Sequence, residues 1–338
     1  MSQLHVVFGA GPIGLATVDE LVARDLPVRI VSRSGRATTP SGVEVVAADA
    51  ADAASATRAA KGAAVVYQCL NPEYHRWAED FPPLQAGVVG ACRAHGARLV
   101  SFENVYMYGN TCGAPITEDT PTRPHTGKGK VRLAMAEELR SLHAAGQLDV
   151  TTARSSDYFG PGAREQSPLG ELLIGKALAR KSAQVVGDPN QLHSYTYIPD
   201  AGRTMAELGT RDDVSGEIFH VPNAPARSTR EIADIVGRQI GATVKLQVAP
   251  KLLLRVMGLF NKSIGEVIEM LYEFEQPFVV DSTKAEQRLG LSPTPLEEAL
   301  TTTIGWFRAT ASAREVTARR FARGDLLDAL DRLPDGRD

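Results

Sequence analysis

The sequence predicts an α/β protein whose first half is a doubly wound parallel sheet, and three observations carry that prediction. Short valine-rich apolar runs alternate with segments whose apolar residues recur every three or four positions, the rhythm of βαβ units. The first of these runs passes directly into a glycine-rich turn, Gly9-Ala10-Gly11-Pro12-Ile13-Gly14. Over 338 residues, 43% are hydrophobic and 23% charged, enough to bury a large core.

Taken in order, strands are expected over Val6 to Phe8, Val28 to Val31, Val43 to Val46, Ala63 to Tyr67, Leu99 to Phe102 and Val150 to Ala153. Between them, residues 12–24, 52–60, 84–95 and 128–143 carry the apolar stripe that amphipathic crossover helices require. After residue 154 the alternation weakens, and Gly160-Pro161-Gly162 and Gly187-Asp188-Pro189 separate shorter pieces. Ile218 to Val221 reads as a strand that rejoins the sheet, while Pro250 to Phe274 and Pro295 to Arg308 read as helices. The expected organisation is a dinucleotide-binding Rossmann domain over 1–155, rejoined by roughly 192–222, with a smaller, discontinuous C-terminal substrate-binding region over 156–191 and 223–310. Residues 311–338 form an expected helical tail, with Phe321, Leu326, Leu327, Leu330 and Leu333 as its packing or pairing face.

Composition removes several function classes. Lys+Arg of 37 against Asp+Glu of 40 leaves a net charge of −3, which gives no general pull toward nucleic acid or anionic lipid. Cys69, Cys92 and Cys112 are odd in number and lack the C-x-x-C spacing of metal or redox sites, so neither a disulfide framework nor a metal is expected. No apolar run reaches the ~18 residues that span a bilayer, and Met1-Ser2-Gln3 leads straight into the first strand without a targeting segment. A soluble, cytoplasmic protein acting on a small molecule is expected.

The glycine turn lies where G-x-G-x-x-G has a mechanism, after a strand and opening a helix. Glycines let backbone N–H groups approach a pyrophosphate, and the helix N-terminus adds partial positive charge. Gly9, Gly11, Pro12, Ile13 and Gly14 are therefore expected to hold a dinucleotide. The second strand ends in Ser32-Arg33-Ser34, where an NAD site would place an acid for the ribose hydroxyls. A guanidinium with flanking hydroxyls, and Arg36 nearby, suits a 2′-phosphate instead, so NADP(H) is expected over NAD(H). Asp49, ending the third strand, is expected either to cap the next helix or to accept a bond from adenine, and Cys69 to lie beside the cofactor or pack.

With these residues placed, the chain resembles an extended short-chain dehydrogenase/reductase of the NAD-dependent epimerase/dehydratase type. The likeness rests on the glycine turn, Tyr106-Met107-Tyr108-Gly109, and Pro124-His125-Thr126-Gly127-Lys128-Gly129-Lys130. Arg154, Tyr158-Phe159-Gly160-Pro161-Gly162, Tyr197-Ile198-Pro199-Asp200 and Leu289-Gly290-Leu291-Ser292-Pro293-Thr294-Pro295 extend it. The resemblance implies a Tyr-x-x-x-Lys pair, with tyrosinate as acid/base and lysine on the nicotinamide ribose. Lys130 matches the lysine, but Thr126 stands in the tyrosine's place, and an aliphatic hydroxyl is too weak an acid to substitute. Asn104 replaces the usual Ser/Thr, and Val105 and Tyr106 replace the Asp-Glu pair of sugar-nucleotide dehydratases.

Tyr106 becomes the expected relocated proton donor, with His125 beside Thr126 as a second candidate. Tyr158, Arg164, His193 and Tyr195 are expected to line the substrate cleft. The resemblance also implies a homodimer through helices 84–95 and 128–143, with Val88, Ala134 and Leu139 as contacts. The leading expectation is an NADP(H)-dependent oxidoreductase acting on a small carbonyl, imine or activated alkene. One alternative is an epimerase or isomerase that oxidises its substrate transiently with tightly bound NAD(P). Another is a non-catalytic NADP(H)-sensing protein.

Overall fold

In chain order the first half reads β1 (Leu4–Phe8), α1 (Pro12–Ala23), β2 (Val28–Ser32), β3 (Glu44–Ala47), α2 (Ala53–Ala59), β4 (Ala63–Gln68), α3 (Trp77–His95), β5 (Arg98–Asn104), α4 (Gly127–Ala144) and β6 (Val150–Ser155). The computed structural model describes residues 3–248 and 268–311. The second half continues with β7 (Asp157–Phe159), α5 (Lys176–Leu178), β8 (Ala183–Val185), β9 (Leu192–His193), β10 (Tyr195–Tyr197), α6 (Ile198–Thr210), β11 (Ile218–His220), β12 (Arg227–Ser228), α7 (Thr229–Ile240), β13 (Leu246–Val248) and α8 (Thr283–Leu289). A last helix, α9, covers 296–311.

Seven strands form one sheet in the order β11-β6-β5-β4-β1-β2-β3, and every pairing is parallel. The strand order reverses between β1 and β4, and a crevice opens at the carboxyl ends of strands at such a switch point. The pleat explains the two layers. In β1, Val6 and Phe8 pack toward α2, α3 and α4, joining Val88, Cys92, Leu99 and Leu139. Val7 points the other way, toward α1 and α6, joining Val18, Leu21, Met205 and Phe219. A third core, with Phe159, Leu169, Tyr195, Ile232, Val236, Leu300 and Phe307, lies outside the sheet and forms the smaller C-terminal region.

The return of the chain to the sheet at Ile218 is as expected, but several elements differ. Helix α3 begins at Trp77 and carries Pro82 and Pro83 inside it, although proline should stop a helix. Trp77 and Phe81 bury their rings before the proline pair, so tertiary packing carries the helix through. Helices α6 and α7 were not anticipated. Ser228 and Glu231 form a capping box that opens α7, a signature present in the sequence. Of the helix expected over Pro250 to Phe274, residues 250–267 lie outside the described residues, and Leu271–Phe274 is a single 3-10 turn. The expected tail from 312 onward also lies outside them. Val88 and Leu139 are buried within this chain's own core, so they are unavailable as contacts between two copies. Among the described residues, no helix is long and apolar enough to cross a membrane, and no group of side chains is arranged to hold a metal.

Candidate active site

The glycine turn is built for an anion. Gly9 sits at φ +112°, and a Cβ there would lie 2.5 Å from the Cys69 carbonyl oxygen. Gly11 is the N-cap of α1, and a Cβ there would meet nothing within 4 Å, so the turn faces open space. No side chain caps α1 and no acid stands in its first turn, whereas Asp52, Thr126 and Ser228 cap α2, α4 and α7. An uncapped helix start behind a glycine cradle fits the pyrophosphate of a dinucleotide. Ile13 and Gly14 are buried beneath it. Cys69 is a wall of the cradle: its buried thiol lies 4.0 Å from the Thr17 hydroxyl, and burial pushes its pKa up to about 12. Asp49 is exposed and accepts a bond from the Ala51 N–H (2.9 Å), and Asp52 is the helix cap.

At the end of β2, Ser32 turns inward. Its hydroxyl both receives the Arg36 N–H and donates to the Arg36 carbonyl, each at 3.1 Å. Arg33, Ser34 and Arg36 are exposed, and the charge of Arg33 helps lower the pKa of Asp80 in the first turn of α3, after the larger effect of the Arg76 bond.

The start of α4 shifts the expected pair. Thr126 is buried and its hydroxyl accepts the Gly129 N–H (3.1 Å), the geometry of a helix cap. Lys130 is exposed, and its ammonium forms no hydrogen bond or ion pair among the described residues. The buried stripe of α4 instead carries Lys128 and Arg132, one turn apart and in line with Met135 and Leu139. The Lys128 ammonium donates to the Tyr74 carbonyl and lies 4.1 Å from the Tyr74 ring centre. Arg132 reaches the Phe102 carbonyl (3.4 Å), and its Nε has no partner among the described residues. His125 is exposed and edges against Tyr272, ring centres 4.9 Å apart.

Beyond β5, the Asn104 side chain accepts the Tyr106 N–H (3.3 Å), shaping the turn. Tyr106 stacks on Trp77 and hydrogen-bonds the Tyr74 side chain. Burial first, and then the charges of Asp157 and Glu273, hold its phenol well above the usual tyrosine range, so it keeps its proton. Tyr108 points the other way, into a buried ladder. Arg154 donates to its hydroxyl (2.8 Å), which donates to His220 Nε2 (2.9 Å), while His220 Nδ1 donates to the Asp281 carbonyl (2.8 Å).

The substrate side gathers around β7. Asp157 Oδ2 lies 3.1 Å from His193 Nε2, and His193 Nδ1 lies 3.2 Å from the Glu273 carbonyl. The Glu273 carboxyl is buried, with the Tyr272 hydroxyl 3.4 Å away. Burial, then the charge of Asp157, raises its pKa well above the carboxylate range. Tyr158 bonds Asn71 at the end of β4, tying β7 to the cradle side of the cleft. Tyr195 bonds the Thr229 hydroxyl (3.0 Å). Arg164 departs from the group, pairing with Glu171 (2.9 Å), bonding Thr310 (2.8 Å) and lying over Trp306 and Phe307. The sequence reading passed over Lys128, Arg132, Asp157, Tyr272 and Glu273. Periodicity along α4 could have found the first two.

Comparison with known proteins bears on this site. The chain is 26% identical over 310 residues to 3beta-hydroxysteroid-dehydrogenase/decarboxylase isoform 2 of Arabidopsis thaliana, covering 81% of this chain and 53% of that one. It spans little more than half the length of the first curated relatives it matches. Its fold matches the DesIV double mutant of Streptomyces venezuelae, a dTDP-glucose 4,6-dehydratase solved with NAD and DAU (TM-score 0.73, 20% identity, 90% of this chain and 97% of that one). It also matches UDP-glucuronic acid 4-epimerase of Bacillus cereus, solved with UDP-glucuronic acid and NAD (TM-score 0.74, 18% identity, 91% and 100%).

These findings correct the expected cofactor and reaction. Both similar structures hold NAD, which overturns the NADP(H) expectation and with it the NADP(H)-dependent reductase and the NADP(H) sensor. Locally, Ser32 spends its hydroxyl inside its own turn, and Arg33 is exposed near the acidic start of α3. The reading that survives is the alternative, in which the dinucleotide oxidises transiently. Residues 5–221 match the model of the NAD dependent epimerase/dehydratase family, and the chain belongs to that family.

Proposed function

We propose that this protein is an NAD-dependent sugar epimerase that acts on a nucleotide sugar by transient oxidation of a ring hydroxyl. The observation that carries the reading is the open, uncapped glycine cradle at the switch point of the sheet in a chain of this family. Epimerisation is preferred to dehydration because Val105 and Tyr106 stand where an acid and a base for water elimination would be needed.

Gly9, Gly11, Pro12, Ile13 and Gly14 bind the pyrophosphate, with Cys69 as the wall behind them and Asp49 near the adenine end. Bound NAD would supply a hydride acceptor that returns the hydride in the second half of the reaction. Tyr106, held protonated, donates a hydrogen bond to the reacting oxygen. Lys128 and Arg132 supply positive potential from the buried face of α4, a place the exposed Lys130 does not reach. Tyr158, His193 and Tyr195 shape the sugar side of the cleft. The sheet domain and the smaller region divide near residue 155, and two copies pair through exposed positions of α3 and α4 such as Ala134.

The test is proton NMR of UDP-glucose, dTDP-glucose and UDP-glucuronic acid, each incubated with enzyme and NAD. Appearance of the epimer with no accumulation of NADH is the expected result. Steady NADH production, or no change in any of the three while NAD binds, would overturn the reading.

A further inference from the structure

We propose that Asp157, held by His193, is the proton acceptor for the reacting hydroxyl, a role that rests on the epimerase reading above. An oxidised sugar hydroxyl must lose its proton to some base, and this chain lacks the tyrosinate that its relatives' pattern would supply. Tyr106 cannot fill that place, because its phenol is held protonated and can only donate. Thr126 is spent as a helix cap, and Lys130 stands in solvent.

Asp157 has the surroundings the role needs. It begins β7 directly beyond β6, at the carboxyl edge of the sheet. Around it stand Tyr106 after β5, Tyr158 on its own strand, Tyr195 on β10, and Tyr272 and Glu273 on the turn before α8. In each of these five the proton is held first by burial or a closer neighbour, and the charge of Asp157 adds to it. The Glu273 carboxyl is buried, and the charge of Asp157 adds to the burial that raises its pKa. Asp157 keeps the histidine partner, and its side chain is 15% exposed where that of His193 is 2% exposed. One carboxylate oxygen is tied to His193, and the side chain keeps a small exposed fraction.

His193 acts as a positioning residue. A carbonyl and a carboxylate can only accept, so His193 holds both partners as the imidazolium, with Nδ1 donating to the Glu273 carbonyl and Nε2 donating to Asp157. Phe274 stacks on the ring at 4.7 Å and 3°, and Phe278 at 5.2 Å, which removes its freedom to turn. In the forward step the substrate O–H bond breaks and its proton goes to Asp157. The O–H electron pair becomes the second C–O bond of the ketone, and the C–H pair would leave as hydride to bound NAD. The return step reverses both transfers on the other face of the sugar.

The experiment compares wild type with Asp157→Asn, Asp157→Ala and His193→Gln, using UDP-glucose, dTDP-glucose and UDP-glucuronic acid as probes. Asp157→Asn should lose ~10²–10⁴-fold in kcat with NAD affinity unchanged. Added formate should restore part of the Asp157→Ala rate, since it replaces the missing acceptor. His193→Gln should lower kcat more mildly and leave KM in place. On cofactor-free protein, ¹⁵N NMR should show the His193 Nε2 resonance move in Asp157→Asn. An Asp157→Asn enzyme at wild-type rate, or a formate-insensitive Asp157→Ala enzyme that is folded and binds NAD, would overturn the assignment. If wild type epimerises none of the probes, the function fails by itself, and the ¹⁵N shift judges the pair: an unmoved resonance overturns that too.

Discussion

Glu103 and Arg154 form an ion pair sealed between β5 and β6: carboxylate and guanidinium meet at 3.0 Å with their side chains 3% and 5% exposed. The same guanidinium donates to Tyr108, so one buried cation joins the pair to the ladder that ends at the Asp281 carbonyl. Removing either partner strands a charge. Arg154→Leu or Glu103→Gln should each cost about 3–5 kcal/mol by urea denaturation. The double variant should recover part of that loss, because it removes both charges. A double variant as unstable as the sum of the singles would contradict the pairing.

The cradle makes two glycines fail in different ways. Gly9→Ala forces a side chain at φ +112° into the Cys69 carbonyl, so it should lower both the melting temperature and NAD affinity. Gly11→Ala meets nothing in the protein and should melt as wild type. It should nonetheless bind NAD at least about 10-fold more weakly, because the new methyl stands where the pyrophosphate approaches. Calorimetric titration beside thermal melts separates the two, and unimpaired NAD binding in Gly11→Ala would move the cofactor elsewhere.

On α4, Thr126→Ala should cost about 1 kcal/mol of stability through the lost cap, and Thr126→Ser should restore it. Turnover of the Thr126→Ala enzyme should fall little. Lys128→Met should reduce turnover far more than Lys130→Met, since only Lys128 faces inward. The reverse order would return the chemistry to the exposed lysine.

His5 supplies a pH test of the sheet itself. Its ring bonds the Tyr67 hydroxyl (2.8 Å), and burial lowers its pKa from 6.5 to about 4. Between those values the unfolded chain binds a proton that the folded chain refuses, so stability falls as pH falls from 6.5 toward 4. The loss should approach about 3 kcal/mol at the lower end. His5→Gln should flatten that part of the profile, as read by urea denaturation at pH 7 and near pH 4.5.

The sheet was legible because its strands are buried on both faces, and such strands read as unbroken valine runs whatever surrounds them. The cradle was legible because Gly9 and Gly11 act through backbone freedom that only glycine offers. Motif spacing matched Lys130, which is exposed, to a family lysine, but it did not show the buried stripe of Lys128 and Arg132 that Met135 and Leu139 continue. Asp157 and Glu273 were illegible for another reason. Their meeting depends on the turn Leu271–Phe274 folding back onto β7 and β9, and no local pattern encodes that approach. Arg164 looked like a cleft residue because it follows a Gly-Pro-Gly turn, yet its guanidinium is committed to α9.

Because β11 lies directly beside β6, residues 156–217 leave the sheet and come back one strand spacing away, about 4.8 Å. That stretch is a closed excursion with both feet fixed in the same hydrogen-bonded ladder. Doubling the length of such a loop costs only about 0.6 kcal/mol in closure entropy, so insertions there are tolerated without disturbing register. Insertions suit the loops of the excursion and not α6, which lies within it and shares a core with α1 behind the cradle. Because Asp157 and His193 also lie within the excursion, grafting the 156–217 segment between members would carry the proposed proton acceptor along with whatever the segment recognises.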